Sequence, residues 1–284
     1  MAPVNLTTLA NVKTWRNITD SSSDALITRL ISAVSTNILD YLQRGPIASQ
    51  VWTESLSGRG TGEILLRRWP VTSISSLVID GASIQAAVSP QTLSAGTNYP
   101  TVGYFMDDIW EPPSPGQPQL LKLAGASFTP GRNNIFVRYT AGYLVSSEEQ
   151  TPASPSNQAT VSAPYGIWQA DAGVVYMSTG AALTLVTGSP SVGQYSLGTS
   201  PGTYQFSAAD AGQAMLISYS YVPAGLEQAA IETIAERLAY QGRVGIRSRA
   251  EGGQQTGSYF NEFLLPPHIM EMLQPYANVV PFGR

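Results

Sequence analysis

Residues 24–42 read DALITRLISAVSTNILDYL. Their apolar members, Leu26, Ile27, Leu30, Ile31, Val34, Ile38, Leu39 and Leu42, recur at spacings of three and four, which draws one continuous stripe along a helix. Asp20 to Ser23 supply candidate N-caps and Gly45-Pro46 a stop, so the spacing predicts a helix over 22–43. A stripe of that length needs a partner. The pattern returns only after Pro223, where Leu226, Ala230, Ile234 and Leu238 share a face with Ala229, Ile231 and Ala235 beside them. Glu227 and Glu232 sit early in that second helix and Arg237 late, each favourable to its dipole. The helices 22–43 and 225–241 are natural partners, and the chain between them leaves one core and returns to it. The alternative, three sequential domains, leaves helix 225–241 without a substantial companion.

Between the helices the period falls to two. Val51–Leu56 and Glu63–Arg67 flank Gly58-Arg59-Gly60-Thr61-Gly62, which reads as a hairpin, and Ile74–Ile79 closes on Asp80-Gly81, a preferred two-residue turn. Further strands are expected near 104–106, 119–123 and 134–139. Residues 110–118 hold four prolines and read as a loop. Ser146 to Asn157 reads as a linker. From 151 to 222 only Asp171 and Asp210 are charged, and short β-rich runs recur at 174–176, 182–186, 195–197, 203–206 and 214–219, as in a small antiparallel sandwich. At the ends, 5–18 gives a short helical pattern, the glycine- and arginine-rich 242–257 reads as a loop, and Pro266-Pro267 opens a last helix through Leu273. The fold class expected is α+β: a helical core with a small antiparallel sheet over 1–145 and 222–284, and an inserted all-β, sandwich-like domain over 151–221.

Composition sets limits on function. Of 284 residues 12% are charged, about half the usual share of roughly 25%. With 43% apolar residues and a mean hydropathy of −0.01, neutral polar side chains must cover the surface. The absence of Cys excludes disulfides, thiolate metal sites and thiol nucleophiles. A single histidine, His268, excludes any mechanism needing two imidazoles, and neither lysine, Lys13 or Lys122, follows a phosphate-binding loop. A net charge of −4 argues against broad nucleic-acid binding, though not against a surface past which DNA slides. No apolar run reaches the roughly 18 residues of a membrane helix, and no signal peptide is read at the N-terminus.

The candidate chemistry is thin. His268 follows two prolines at a helix start, a position for a surface or capping residue. Asp107, Asp108 and Glu111 would be the only basis for a metal-assisted hydrolase, and they lack a calcium-loop spacing. Gly58 to Gly62 joins two strands, not a strand and a helix, so it is a turn and not a phosphate cradle. Glu148-Glu149 falls in the linker with no base or nucleophile beside it. The expectation is therefore no catalytic, cofactor-binding or metal-binding residue. Arg67, Arg68, Arg243, Arg247 and Arg249 are candidates for a protein interface or a DNA-facing surface. A glycan-binding reading would stack sugars on Tyr165, Trp168, Tyr176 and Tyr195, residues that in a small sandwich more often fill the core.

Several ordered stretches carry a resemblance. Val12-Lys13-Thr14-Trp15-Arg16, then Asp20 and 24–31, resemble the start of tailed-phage head–tail connector proteins. So do Asp40-Tyr41-Leu42-Gln43-Arg44, Leu65-Leu66-Arg67-Arg68-Trp69-Pro70-Val71, Val78-Ile79-Asp80-Gly81 and Tyr139-Thr140-Ala141-Gly142-Tyr143. In that family the strand ending near Tyr143 runs into a proline and the next helix. Here the matching Val222-Pro223-Ala224-Gly225-Leu226 comes some 80 residues later, which fits an insertion. Arg243-Val244-Gly245, 264–267 and 273–276 are similar to the family's C-terminal part. The resemblance implies a virion protein assembled in the host cytoplasm: a homo-oligomeric, dodecameric adaptor ring at the head–tail junction. Its partners would be the portal protein above, a stopper or tail-completion protein below and DNA in the lumen, with no membrane and no cofactor. It also makes Val279, Val280, Pro281, Phe282, Gly283 and Arg284 the candidates for portal contact.

Overall fold

A computed structural model describes residues 5–45, 47–87, 102–106, 119–240, 248–251, 255–258 and 265–277. These fall into two compact units, one drawn from 5–45 and 222–277 and the other from 47–221.

The first unit is helical. α1 (Leu9–Arg16), α2 (Asp24–Tyr41), α3 (Ala224–Tyr240) and α4 (Pro267–Leu273) pack through α3, which touches the other three. Of the stripe read on α2, Ile27, Ile31, Val34 and Ile38 are fully buried, while Leu26, Leu30 and Leu39 are half-buried; α2 packs against α3, where Leu226, Ala230 and Ile234 are buried. Side chains fasten the N-terminal segment where helix ends leave amides open. Thr8 caps α1 by accepting from Asn11 N–H, and Ser35 Oγ accepts from Leu6 N–H at 2.9 Å. Glu227 Oε1 on α3 accepts from Thr7 Oγ1 at 3.2 Å and Asn11 Nδ2 at 2.5 Å. Lys13 Nζ lies 2.7 Å from the Asp24 carboxylate. Residues 242–257, expected as a loop, include two antiparallel strands, β15 (Ser248–Glu251) and β16 (Gln255–Ser258). Polar composition hid them, because backbone pairing alone defines a ribbon and needs no apolar alternation.

Among the described residues the second unit is built of strands, with one 3-10 turn at Ala208–Asp210. In its first sheet β1 (Gln50–Leu56), β7 (Ile135–Ala141), β3 (Val71–Ile79) and β4 (Ala82–Ile84) lie antiparallel in the order β1-β7-β3-β4. β2 (Glu63–Leu65), β6 (Leu120–Ala124) and β5 (Gly103–Met106) make a second sheet in the order β2-β6-β5. The two share one core, with Leu56, Leu77, Leu121, Phe128, Ile135, Val137 and Tyr139 at its centre. The Asp80-Gly81 turn is as read: both residues have positive φ, 51° and 83°, and Ile79 pairs with Ala82. Gln119 does the work of a strand backbone at a bulge in β3. Its side-chain amide accepts from Val71 N–H at 2.5 Å and donates to Val71 C=O at 3.1 Å.

The expected hairpin of Val51–Leu56 with Glu63–Arg67 does not form. β1 pairs with β7 and β2 with β6. The intervening glycines serve close backbone approach instead. Gly60 N–H donates to Phe128 C=O, Phe128 N–H to Thr61 C=O and Gly131 N–H to Gly58 C=O. A Cβ on Gly58 would stand 2.0 Å from the carbonyl oxygen of Thr129.

The rest of the second unit is two more sheets. One orders β10 (Gly166–Tyr176), β14 (Met215–Pro223, whose last two residues fall in the first unit) and β8 (Leu144–Gln150). The other orders β11 (Thr184–Leu185), β12 (Gln194–Leu197), β13 (Thr203–Phe206) and β9 (Gln158–Thr160). Residues 146–150, the first part of the expected linker Ser146 to Asn157, thus belong to a full strand, β8, antiparallel to β14. The expected helical core with a small sheet is corrected as well: strand makes up 37% and helix 25%. Long helices announce themselves by period over many residues. These strands are mostly short and bounded by turns, so each gives a weak signal while together they outweigh the helices.

Candidate functional site

The first basic pair is built into a polar node of the second unit. Arg67 and Arg68 follow β2 in the turn before β3. Arg67 N–H donates to Glu54 Oε2 at 3.2 Å, and Arg68 N–H to Tyr139 Oη at 3.1 Å. Tyr139 Oη in turn donates to Glu54 Oε1 at 2.6 Å. Burial and the neighbouring Glu54 carboxylate both push the Tyr139 hydroxyl well above its usual range, so it remains a donor. The Arg68 guanidinium stands 4.6 Å from the centre of the Trp52 ring, a cation–π contact, while Arg67 is exposed. Glu54 therefore ties β1, β7 and the 67–68 turn together, and the arginines frame a fixed surface.

The other candidates are not gathered there. Arg249 lies on β15 in the first unit. Arg243, Arg247, Asp107, Asp108, Glu111 and 279–284, which include the candidate portal contacts, lie outside the described residues. His268 Nε2 is 3.6 Å from Glu232 on a mostly exposed side chain, a loose surface pair. Among the described residues no three His, Cys, Asp or Glu converge to hold a metal, and no helix is long and apolar enough to cross a membrane.

In and just before the low-charge stretch, acids and tyrosines are paired. Glu148 on β8 accepts from Tyr219 Oη, from Ser162 N–H at 2.6 Å and from Gln150 Nε2 at 2.8 Å. Burial pushes its carboxyl up, but the bonds from Tyr219, Ser162 and Gln150 outweigh that and hold it below the usual range. Asp171 accepts from Tyr195 Oη at 2.6 Å and from Gly173 N–H at 3.2 Å. Asp210, almost fully buried, accepts from Tyr176 Oη at 2.8 Å. Burial first, then the acid partner, raises the hydroxyls of Tyr176, Tyr195 and Tyr219.

The four aromatics considered for sugar stacking are engaged in packing or hydrogen bonds. Tyr195 is buried between Tyr204 and Phe206, and Trp168 Nε1 donates to Tyr204 Oη at 3.1 Å. Tyr165 leans on Tyr221 with ring centres 5.8 Å apart, and Tyr176 spends its hydroxyl on Asp210. Sequence reasoning missed Glu54 and placed Glu148 in a linker without a partner. Each acid meets its tyrosine from another strand, 85 and 71 residues away in the chain, and nothing local marks that meeting.

Among the described residues, Glu54, Tyr139 and Trp52 hold the Arg67–Arg68 turn in place by hydrogen bonds and a cation–π contact. Residues 5–105 match the family model described as head completion protein, spanning α1, α2 and the strands β1 to β5. That match supports a phage head-completion or connector family, hence a virion protein with a structural role in completing the head and not a known enzyme family. The resemblance noted for 106–143 and 222–280 lies outside the matched residues. No curated protein matches the chain.

Proposed function

We propose that this chain is the adaptor subunit of a tailed-phage neck. It forms a homo-oligomeric, dodecameric ring under the portal protein, receives a stopper or tail-completion protein below and leaves a lumen for DNA. Residues 151–221 are an insertion into the connector core of 1–145 and 222–284. The observation that carries the reading is the head-completion match over 5–105. The fixed Arg67–Arg68 turn and Arg243, Arg247 and Arg249 serve as interface or lumen residues, since arginine suits both contact and passing phosphate. Val279 to Arg284 reach the portal.

The test is the native mass and electron micrograph of the full chain, alone and with portal protein. Closed rings that bind portal, and weaker portal binding after deletion of 279–284, are expected. A chain that stays monomeric and ignores portal refutes the adaptor. Unchanged portal binding after the deletion refutes the assignment of 279–284.

A further inference from the structure

We propose that the outer face of the β1-β7-β3 sheet docks a protein segment that carries a carboxylate beside apolar side chains. The inference rests on the head-completion reading above, in which the chain acts among other proteins of the particle. Strand register assembles the face. Thr53, Arg138 and Ser76 form one row across the three strands, and Ser55, Phe136 and Val78 form the next. Side chains of directly paired residues lie on the same side of a sheet, about 5 Å apart, so the two rows make one continuous surface. Val51 extends it by a further row on β1. The alternate positions point the other way and pack in the core, among them Trp52, Leu77 and Val137.

This face is open to solvent. Phe136 is 49% exposed and Val51 53%, and Thr53, Ser55, Ser76 and Arg138 are exposed with them. Its middle is β7, which runs between β1 and β3 and presents Phe136 and Arg138 at successive outward positions. Aromatic residues and arginine are the types enriched where proteins meet. Thr53, Ser55 and Ser76 surround them with neutral hydroxyls, the composition of a rim. Three strands are about 10 Å across, the centre of an interface and not its whole extent.

Charge selects the occupant. Among the described residues no carboxylate lies within ion-pair reach of Arg138, whereas Lys13, Lys122 and His268 each face one. A neutral surface closing over Phe136 would bury the neighbouring guanidinium unpaired, which is costly. A carboxylate receiving its parallel N–H bonds removes that cost. DNA fits poorly, because phosphate binding draws on several clustered cations and this face carries one.

The test is made on the full chain, free and in assembled particles. In hydroxyl-radical footprinting of the unmodified chain, Phe136 should react several-fold less in particles than in the free chain. Phe136→p-benzoylphenylalanine should cross-link, on illumination of particles, to a neighbouring protein. Arg138→Glu, which sets carboxylate against carboxylate, should reduce the chain retained per particle about tenfold, and Arg138→Lys should lose less. Reversing an Asp or Glu of the cross-linked segment to Arg should restore retention of Arg138→Glu. Unchanged circular dichroism and melting verify the variants, and the footprint decides without them. Equal reactivity of Phe136 in both states, cross-links to DNA alone, or full retention of folded Arg138→Glu overturns the proposal. If the chain is present in particles with this face unprotected, the head-completion reading stands without it. A chain absent from particles overturns both.

Discussion

Replacing Tyr219 by Phe removes one hydroxyl from a fully buried ring and leaves its packing shape intact. The hydroxyl donates to Glu148, which keeps Ser162 N–H and Gln150 Nε2. A hydrogen bond to a charged group contributes about 1.5–3 kcal/mol. Glu148 is only partly buried, so water repairs some of the loss, and the expected cost is about 1–2 kcal/mol. For a unit of this size each kcal/mol moves the midpoint by about 2–4 °C. Thermal melts should therefore fall by roughly 2–8 °C at neutral pH.

The pH dependence carries the sharper test. The folded pKa of Glu148 lies below its usual 4.5, so its contribution is full above that value and disappears as pH falls through the folded pKa. The gap between the unmodified chain and Tyr219→Phe should shrink as the medium is taken below the usual value. In a double-mutant cycle with Glu148→Gln the two changes should be coupled by about 1 kcal/mol. A gap that persists unchanged in acid, or additive single effects, would refute the account of Glu148 as an ionised acceptor.

Four further outcomes follow from other positions. Gly58→Ala drives a Cβ into the Thr129 carbonyl, 2.0 Å away, and should cost more than about 3 kcal/mol in urea melts. Gly81→Ala, with φ of 83° and open space around it, should cost only about 1 kcal/mol. Gln119→Ala strands both Val71 N–H and Val71 C=O and should cost about 2–4 kcal/mol, read by the same melts. Glu227→Ala releases Thr7 and Asn11, so amide exchange over residues 6–12 should accelerate while that of α2 and α3 holds.

The helical unit was legible because its information is local. Eight apolar positions of 24–42 repeat a period, and nothing outside the stretch is needed to read it. Asp80-Gly81 was legible for the same reason: two adjacent residues accept positive φ. The Gly58–Gly62 run was misread because hairpin and close-approach glycines look alike in sequence, and only the 126–131 segment tells them apart. The linker reading of 146–150 failed because Ser and Glu dominate it, while its strand is held by β14 and by Tyr219. Arg67 and Arg68 were marked by type alone. What fixes them, Glu54 and Tyr139, depends on tertiary pairing between distant strands.

The split of the helical unit across the chain sets an order of events in synthesis. The ribosome delivers α1 and α2 first, yet α3, which covers the α2 stripe, waits for residues 46–221 to be made. At roughly 5–20 residues per second that interval is on the order of ten seconds or more. α1 and α2 thus wait for α3, and the β unit can close before them. A nascent chain arrested before Ala224 should show a protease-resistant β unit behind a cleavable N-terminal arm.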